Sequence, residues 1–236
     1  MIGFFRKIRK KLADDNQFFK YAKYAVGEIL LVVVGILIAL QINNWNELKK
    51  TKAFEKEILK DIDNALEGNI WQLEQGIKSC RTAIRSCDIV LHHLEGQIVY
   101  HDSLKQHFSK AIRWFRPTVA NSGYESLKTY GSHLIRNDSI RDMLVIFDTE
   151  WIHILNDRQE QFMNITAAPT LSEIFKSQSI NGDMEPFNPK ELLSSRAYYN
   201  IVNTLKDNRK NQVKWYIIWE EHLKELSLII KEELKN

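Results

Sequence analysis

The fold of this chain is decided by residues 21–45, which read YAKYAVGEILLVVVGILIALQINNW. The eighteen residues 25–42 contain one charged side chain, Glu28. Tyr24 and Trp45 are 21 residues apart, which is about 31 Å along a helix and close to the roughly 30 Å hydrocarbon core of a bilayer. The stretch predicts a single transmembrane helix over residues 21–45, with a buried helix of a soluble protein as the alternative. Its interfacial anchors are the aromatic residues Tyr21, Tyr24 and Trp45.

The flanks of this apolar run predict its orientation. The run ends without the pair of small residues that signal peptidase needs, so we expect an uncleaved signal-anchor. Seven Lys and Arg residues occur in residues 1–23, against five in the twenty residues after Ile42. Because the more positive flank stays in the cytoplasm, we predict a cytoplasmic N-terminus and a main body on the other side of the membrane.

One face of the predicted span carries an ionisable residue and two small ones. Glu28, Gly35 and Ala39 fall within about 40° of one another on a helical wheel. A carboxyl group aligned with small residues indicates a face that packs against another transmembrane helix. Alternatively, Glu28 lies only one turn beyond Tyr24 and reaches the headgroup region.

The chain divides by sequence into three parts: a basic N-terminal segment (1–20), the transmembrane helix (21–45) and an extramembrane domain (46–236). In the first part, the apolar residues Phe4, Phe5, Ile8 and Leu12 form one stripe among basic residues. Such a segment can lie on an anionic membrane surface, or it can serve only to set the topology.

Composition favours helices and argues against nucleic-acid binding. The 236 residues include 9 Gly and 4 Pro, too few breakers for a turn-rich β fold. The formal net charge is +3. Residues 1–24 carry seven basic and two acidic residues, and the remaining 212 carry 26 basic and 28 acidic residues. The positive charge therefore belongs to the N-terminal segment, so we predict no nucleic-acid partner.

Beyond Trp45, apolar residues recur at steps of three and four, the pattern of a coiled coil or a long bundle helix. Gly68 and Gly76 lie off this seam, and the helix is predicted to end near Gly96. The seam residues include Leu66, Ile70, Leu73, Ile77, Cys80, Ile84, Cys87 and Leu91, with Leu59, Ile62 and Leu94 extending it. The predicted fold is all-α: the transmembrane helix continues into this long heptad helix, which packs in an antiparallel helical bundle.

Breakers and capping residues place the later helices. A capping box at Asp102-Ser103-Leu-Lys-Gln106 predicts a helix to about Trp114. A short helix follows at Tyr124–Tyr130, and Asn137 caps a further helix whose inward face is predicted to run from Ile140 to Ile165. Residues 169–189 are predicted to be irregular. Asn188-Pro189 then marks the start of a last helix that runs almost to the end of the chain.

No catalytic, cofactor-binding or metal-binding site is predicted. Cys80 and Cys87 are seven residues apart, too far for a disulfide within one helix; we interpret them as buried side chains, or as partners of their twins across a parallel dimer. Glu150 and His153 form a single Glu-x-x-His step, whereas a di-iron bundle needs two. The tryptophans are interpreted as packing residues.

The anchor resembles a large bacterial family of single-pass proteins described as a domain of unknown function. The likeness is carried by Gly27-Glu28-Ile29, by residues 35–47 (GILIALQINNWNE) and by the basic FFRKIR opening, with a weaker likeness over residues 124–137. The resemblance implies membrane location, here the bacterial inner membrane, and a helical body. It implies no activity.

Three functions are consistent with these features. The first is a non-enzymatic, membrane-anchored helical protein that acts through protein contacts, as a homo-oligomer or as an accessory subunit of a cell-envelope complex, with the lipid bilayer as its other partner. The second is an extracytoplasmic small-molecule-sensing domain that relays its signal through another protein. The third is an enzyme of unfamiliar type.

Overall fold

The computed structural model describes residues 18–118, 120, 122–147, 160–178 and 182–235. Within these residues the protein is all-α, as predicted, and the extended pairing is confined to one isolated bridge between Phe175 and Pro186. Residues 1–17 of the predicted basic segment lie outside the described part. The helices are α1 (Phe18–Glu95), α2 (Leu104–Ile112), α3 (Ser122–Tyr130), α4 (Asp138–Ile146), α5 (Ala168–Ile174), α6 (Pro189–Ser194) and α7 (Arg196–Lys235).

Helix α1 is a single helix of 78 residues that contains both the apolar run and the heptad seam. No proline occurs between Phe18 and Glu95, so every backbone N–H beyond the first turn can take part in the helical ladder. The chain divides into two compact units between Phe54 and Glu55. The predicted boundary between the transmembrane part and the remainder, at residues 45 and 46, stays a prediction.

The end of α1 lies where Gly96 predicts it, but the left-handed residue is the next one. The backbone N–H of Ile98 donates to the carbonyl of His93 at 3.1 Å, and that of Gly96 donates to His92 at 3.0 Å. Gln97 has a φ of 45°. This is the helix-ending motif in which the residue after the C-cap is left-handed, with a glutamine where glycine is usual.

In the unit that begins at Glu55, α7 packs antiparallel against α1. The contacts show the direction, because the residue numbers of the contacting residues on α7 decrease as those on α1 increase. Asp63 accepts a hydrogen bond from Ser227, Cys80 donates to Gln212, and Asp88 pairs with Lys206. The predicted antiparallel pairing of the long helices is therefore present. The residues of α7 that are buried in this unit include Ile201, Leu205, Tyr216, Trp219, Leu223, Leu226 and Ile230.

Helix α2 starts without the predicted capping box. Ser103 is its N-cap residue, but the Ser103 backbone is helical and its side chain makes no capping hydrogen bond. The Ser103 hydroxyl instead pairs with Nδ1 of His101 at 3.0 Å. The helix also ends at Ile112, before Trp114. Asn137, in contrast, caps α4 as predicted, because its side chain accepts from the backbone N–H of Ile140 at 3.3 Å.

The region between Pro169 and Pro189 is more helical than predicted. A π-helical segment, Phe162–Ala167, leads into α5, and Pro169 lies in the first turn of α5. The backbone N–H of Ala168 still donates to the carbonyl of Met163, so Pro169, which has no N–H, lies where the wider π-helical turn passes into the α-helix. The loop that follows is tied down by the backbone N–H of Met184, which donates to the carbonyl of Lys105 at 3.1 Å.

Asn188 and Pro189 start a helix as predicted, but that helix is short. The Asn188 side chain accepts from the backbone N–H groups of Lys190 and Glu191, so α6 is well capped. Ser195 then adopts an extended conformation that separates α6 from α7. The single last helix predicted from Pro189 onward is therefore wrong: it is divided at Ser195.

Candidate interaction surfaces and the buried polar core

The apolar run of α1 has the dimensions of a membrane span and is covered by none of the residues that the structure describes. Its helix is long and apolar enough to cross a membrane, and no residue of its most apolar eighteen-residue window is buried within the protein. Leu31 is 71% exposed, and the predicted anchors Tyr24 and Trp45 are 63% and 69% exposed. Tyr21, the third predicted anchor, lies within α1. This surface therefore needs lipid or another protein around it.

The predicted interface residues of the span are all on this open surface. Glu28, Gly35 and Ala39 are exposed. A methyl group added at Gly35 would have no atom within 4 Å, so the chain itself does not explain a small residue there. Small residues let the backbones of two membrane helices approach closely.

The heptad seam, in contrast, is covered by the chain itself. Six of the eight predicted seam residues are buried, and Ile70 and Ile84 are half-buried. The buried members are Leu66, Leu73, Ile77, Cys80, Cys87 and Leu91. A second copy could reach this part of the seam only by displacing elements of the same chain.

Both cysteines are free and lie in this intramolecular core. The Cys80 thiol, 3% exposed, donates to Oε1 of Gln212 at 3.3 Å. The Cys87 thiol is fully buried beside the carbonyl of Ala111, with the sulfur 3.8 Å from that oxygen. Burial raises the pKa of each thiol from its ordinary 9.0 to about 11, and the nearby Arg209 lowers it only in part. Protonated, covered thiols are poor nucleophiles, which supports the interpretation of these residues as buried packing.

A buried carboxylate at the start of the second unit is absent from the sequence prediction. Glu55 is 2% exposed and accepts two hydrogen bonds from Arg136: one from the backbone N–H at 2.8 Å and one from Nε at 2.7 Å. Asp63, 8% exposed, accepts from the Ser227 hydroxyl at 2.5 Å. Sequence reasoning placed the acidic residues on exposed faces. The available signal was spacing, because Glu55 precedes the seam residue Leu59 by four positions.

Arg209 is a second buried charge that the sequence did not reveal. It is 4% exposed and is held by backbone carbonyls rather than by a carboxylate. Its Nε and Nη2 donate to the carbonyl of Arg113, at 3.2 and 2.8 Å, and Nη1 donates to Leu205 at 2.9 Å. Arg113 is the C-cap residue of α2, so the guanidinium sits where the negative end of a helix dipole favours a cation. Burial lowers the pKa of Arg209 from its ordinary value.

A groove of about 430 Å3 between α1 and α7 is open to solvent. Its cations are Lys78, Arg81 and Arg85. The one hydroxyl lining it, on Thr82, donates to the backbone carbonyl of Lys78 at 2.9 Å rather than to either of the lining carboxylates, Glu74 and Glu220. The described groove therefore has no paired nucleophile and base.

The histidines form no recognisable metal site in the described residues, where no group of three or more His, Cys, Asp or Glu side chains converges. His107 bonds to the hydroxyl of Ser86 at 3.2 Å, and burial lowers its pKa. The Glu-x-x-His step at Glu150 and His153 lies outside the described residues.

The tryptophans divide between core and surface. Trp219 is 6% exposed and packs edge-on against Phe147, with ring centroids 6.4 Å apart. Trp71 and Trp215 are 56% and 43% exposed, so the described residues do not bury them, and their interpretation as core or interface packing residues stays a prediction.

Comparison with known proteins matches part of this chain to a family without an assigned activity. Residues 28–133 match the model of a family of unknown function (DUF6090), which covers α1 from Glu28 onward, α2 and α3. No curated protein and no solved structure matches the chain. The resemblance predicted from sequence is therefore confirmed as likeness to an uncharacterised family.

Proposed function

We propose that this protein is a non-enzymatic, single-span membrane protein whose transmembrane helix associates laterally with a second transmembrane helix, first of all that of another copy. One observation carries the proposal. The apolar window of α1 is wholly exposed, whereas the seam of the same helix beyond Glu55 is buried by the chain itself. The apolar surface that the chain leaves exposed is therefore that of the proposed span, and this is where we place the contact with a partner.

The contact face is assigned to Glu28, Gly35 and Ala39. These exposed residues share one side of α1. An ionisable residue within a membrane helix usually faces other helices or water rather than lipid tails. The small residues Gly35 and Ala39, about two and three turns beyond Glu28, allow close backbone approach, which strengthens packing where the hydrophobic effect between helices is absent.

Cysteine cross-linking of the full chain in native membranes tests this face. Gly35→Cys places a thiol on the proposed face, and Leu37→Cys places one about 200° away at nearly the same depth. Oxidation is expected to yield disulfide-linked dimers from Gly35→Cys and not from Leu37→Cys. The native thiols of Cys80 and Cys87 are buried, so we expect them not to form cross-links.

Three results are informative. Cross-linking of Gly35→Cys to a different membrane protein would favour the accessory-subunit form of the proposal. Equal dimer yields from the two variants would contradict the assigned face. A strictly monomeric product, with no chemical cross-link to any neighbouring molecule of the membrane, would contradict the proposed function itself.

We further propose the bacterial inner membrane as the location, with the segment before the span in the cytoplasm. The Lys and Arg bias supports this orientation. A periplasm-dependent reporter fused after Asn236 is expected to be active. Activity of a cytoplasm-dependent reporter at the same site would reverse the orientation.

A further inference from the structure

At the end of the apolar run, α1 presents an aromatic ring and two ammonium groups on one side. Relative to Trp45, Lys49 is rotated by about 40° and Lys52 by about 20° in the opposite sense. Lys50, the residue between them, is rotated by about 140° and lies on the far side. All four side chains are exposed and belong to the unit that ends at Phe54.

The lysine on the far side of the helix forms an ion pair, whereas the two lysines on the side of Trp45 form none with the described residues. Nζ of Lys50 lies 3.1 Å from Oε1 of Glu47, so its charge is compensated within the helix. Nζ of Lys49 lies 6.0 Å from the centroid of the Trp45 ring, at the outer limit of a cation–π contact. Neither Lys49 nor Lys52 forms an ion pair with any residue in the described part of the chain.

The positions of the two lysines correspond to the depth of lipid phosphates. If Trp45 marks the membrane–water interface, Lys49 lies about 6 Å and Lys52 about 10 Å further along the helix. The headgroup layer on each side of the hydrocarbon core is about 5–8 Å thick. The long side chains of both lysines can therefore bring their ammonium groups into this layer.

We propose that Lys49 and Lys52, together with Trp45, form a binding surface for the headgroups of anionic phospholipids. The ammonium groups donate hydrogen bonds to phosphate oxygens, and the indole ring packs at the boundary between headgroup and acyl chain. A zwitterionic headgroup carries its own cation and therefore neutralises the positive charge of the two lysines less well. The inference rests on the proposed membrane span and adds a lipid preference to it.

Two measurements on the full chain separate this inference from the proposed function. Flotation with vesicles of phosphatidylcholine or phosphatidylcholine plus phosphatidylglycerol reports whether the chain enters a membrane at all. Native mass spectrometry of the detergent-solubilised chain, titrated with each lipid, reports the affinity for each. The variants are Lys49→Gln, Lys52→Gln and the double variant, with Lys50→Gln as a control that removes the same charge from the opposite face.

Each lysine is expected to contribute about five-fold to the affinity for phosphatidylglycerol, and the double variant to lose about 20-fold. Lys50→Gln is expected to change it less than two-fold, and phosphatidylcholine binding should stay constant in all variants. Equal binding of the two lipids by the native chain, or an equal loss in Lys50→Gln, would overturn the lipid site while leaving the span intact. Failure of the native chain to float with either vesicle would overturn the proposed function as well.

Discussion

The carboxylate of Glu55 holds Arg136 at two points, the backbone N–H at 2.8 Å and the side-chain Nε at 2.7 Å. Glu55 is 2% exposed, whereas the Arg136 side chain is 51% exposed. The arrangement fixes the segment before α4 to the first turns of the second unit. It is asymmetric, because removing the glutamate leaves two donors without an acceptor and removing the arginine side chain leaves one hydrogen bond intact.

We therefore expect Glu55→Ala to lower the free energy of unfolding by about 3 kcal/mol and Arg136→Ala by about 1 kcal/mol. Urea unfolding of the full chain in detergent micelles, followed by circular dichroism, measures both. Glu57→Ala, an exposed acidic position two residues on, is expected to change stability by less than about 0.5 kcal/mol. Equal losses in the two glutamate variants would contradict a specific role for Glu55.

Two glycines of α1 should respond to the same substitution with opposite signs. A methyl group at Gly76 would lie 2.6 Å from Cε2 of Tyr216 and 3.0 Å from Cδ1 of Phe115. Gly76→Ala is therefore expected to cost about 1–3 kcal/mol through overpacking. Gly68 has open space around it, so Gly68→Ala should stabilise the helix by about 0.5–1 kcal/mol.

The midpoints of thermal unfolding of the two glycine variants give this comparison directly. Stabilisation by both substitutions would show that the ring of Tyr216 can move aside. That result would contradict the close packing of α7 on α1 at Gly76.

Arg209 should tolerate neither of its nearest replacements. Arg209→Met removes three hydrogen bonds, two of them to the carbonyl of Arg113, which we expect to cost about 2 kcal/mol. Arg209→Lys keeps the charge but replaces the planar guanidinium with a more strongly hydrated ammonium, so it should be at least as destabilising. Urea midpoints report both, with the exposed neighbour variant Lys210→Met as the control. Native-like stability of Arg209→Lys would show that charge alone is sufficient.

The two native thiols should be inert in the folded chain. At pH 8 the raised pKa of Cys80 and Cys87 leaves about a hundredth of the thiolate that ordinary cysteines have. Thr82→Cys, on the exposed side of α1 between them, supplies a matched reactive thiol. Maleimide is expected to modify only this added thiol until urea is present. Rapid labelling of native Cys80 or Cys87, or a disulfide-linked dimer through either, would contradict their burial.

The same thiols predict loss of stability in alkali. Their pKa is about 11 in the folded chain against 9.0 ordinarily, so between these values the unfolded chain releases protons that the folded chain retains. The stabilisation is complete below pH 9 and is lost as the pH rises toward 11, by about 1.4 kcal/mol per thiol for each pH unit. The loss between pH 8 and pH 10 should be smaller in Cys80→Ala/Cys87→Ala. Identical losses in native and double-variant chains would exclude the thiols as its source.

Local signals were sufficient for the long helix α1 and for most of α7, but not for α5 or for the break at Ser195. The steps of three and four from Leu59 to Leu94 predict which side of α1 is buried, and Asn137 and Asn188 mark two helix starts through caps that involve only neighbouring residues. The same rule failed at Ser103. A side chain at a helix start can pair either with the N–H donors of the helix or with another nearby polar group, here the ring of His101. The local sequence does not determine which of the two it bonds.

The residues that sequence reasoning missed have partners far away in the chain. Glu55 meets Arg136 at a separation of 81 residues, and Arg209 meets Arg113 at a separation of 96. Whether such polar residues are exposed to solvent or buried depends on which elements of the chain pack over them. Spacing along α1 places Glu55 on the same side as the seam, but it does not show which distant element covers that side.

Hydrophobic period and run length depend only on neighbouring residues, so the amino-acid sequence was sufficient to show that this chain is helical and contains one apolar run long enough to cross a bilayer. Packing in three dimensions shows in addition that α7 and other elements of the same chain cover the heptad seam, whereas no described residue covers the apolar run. Two stretches of one helix differ in burial because burial depends on which distant segments pack against them.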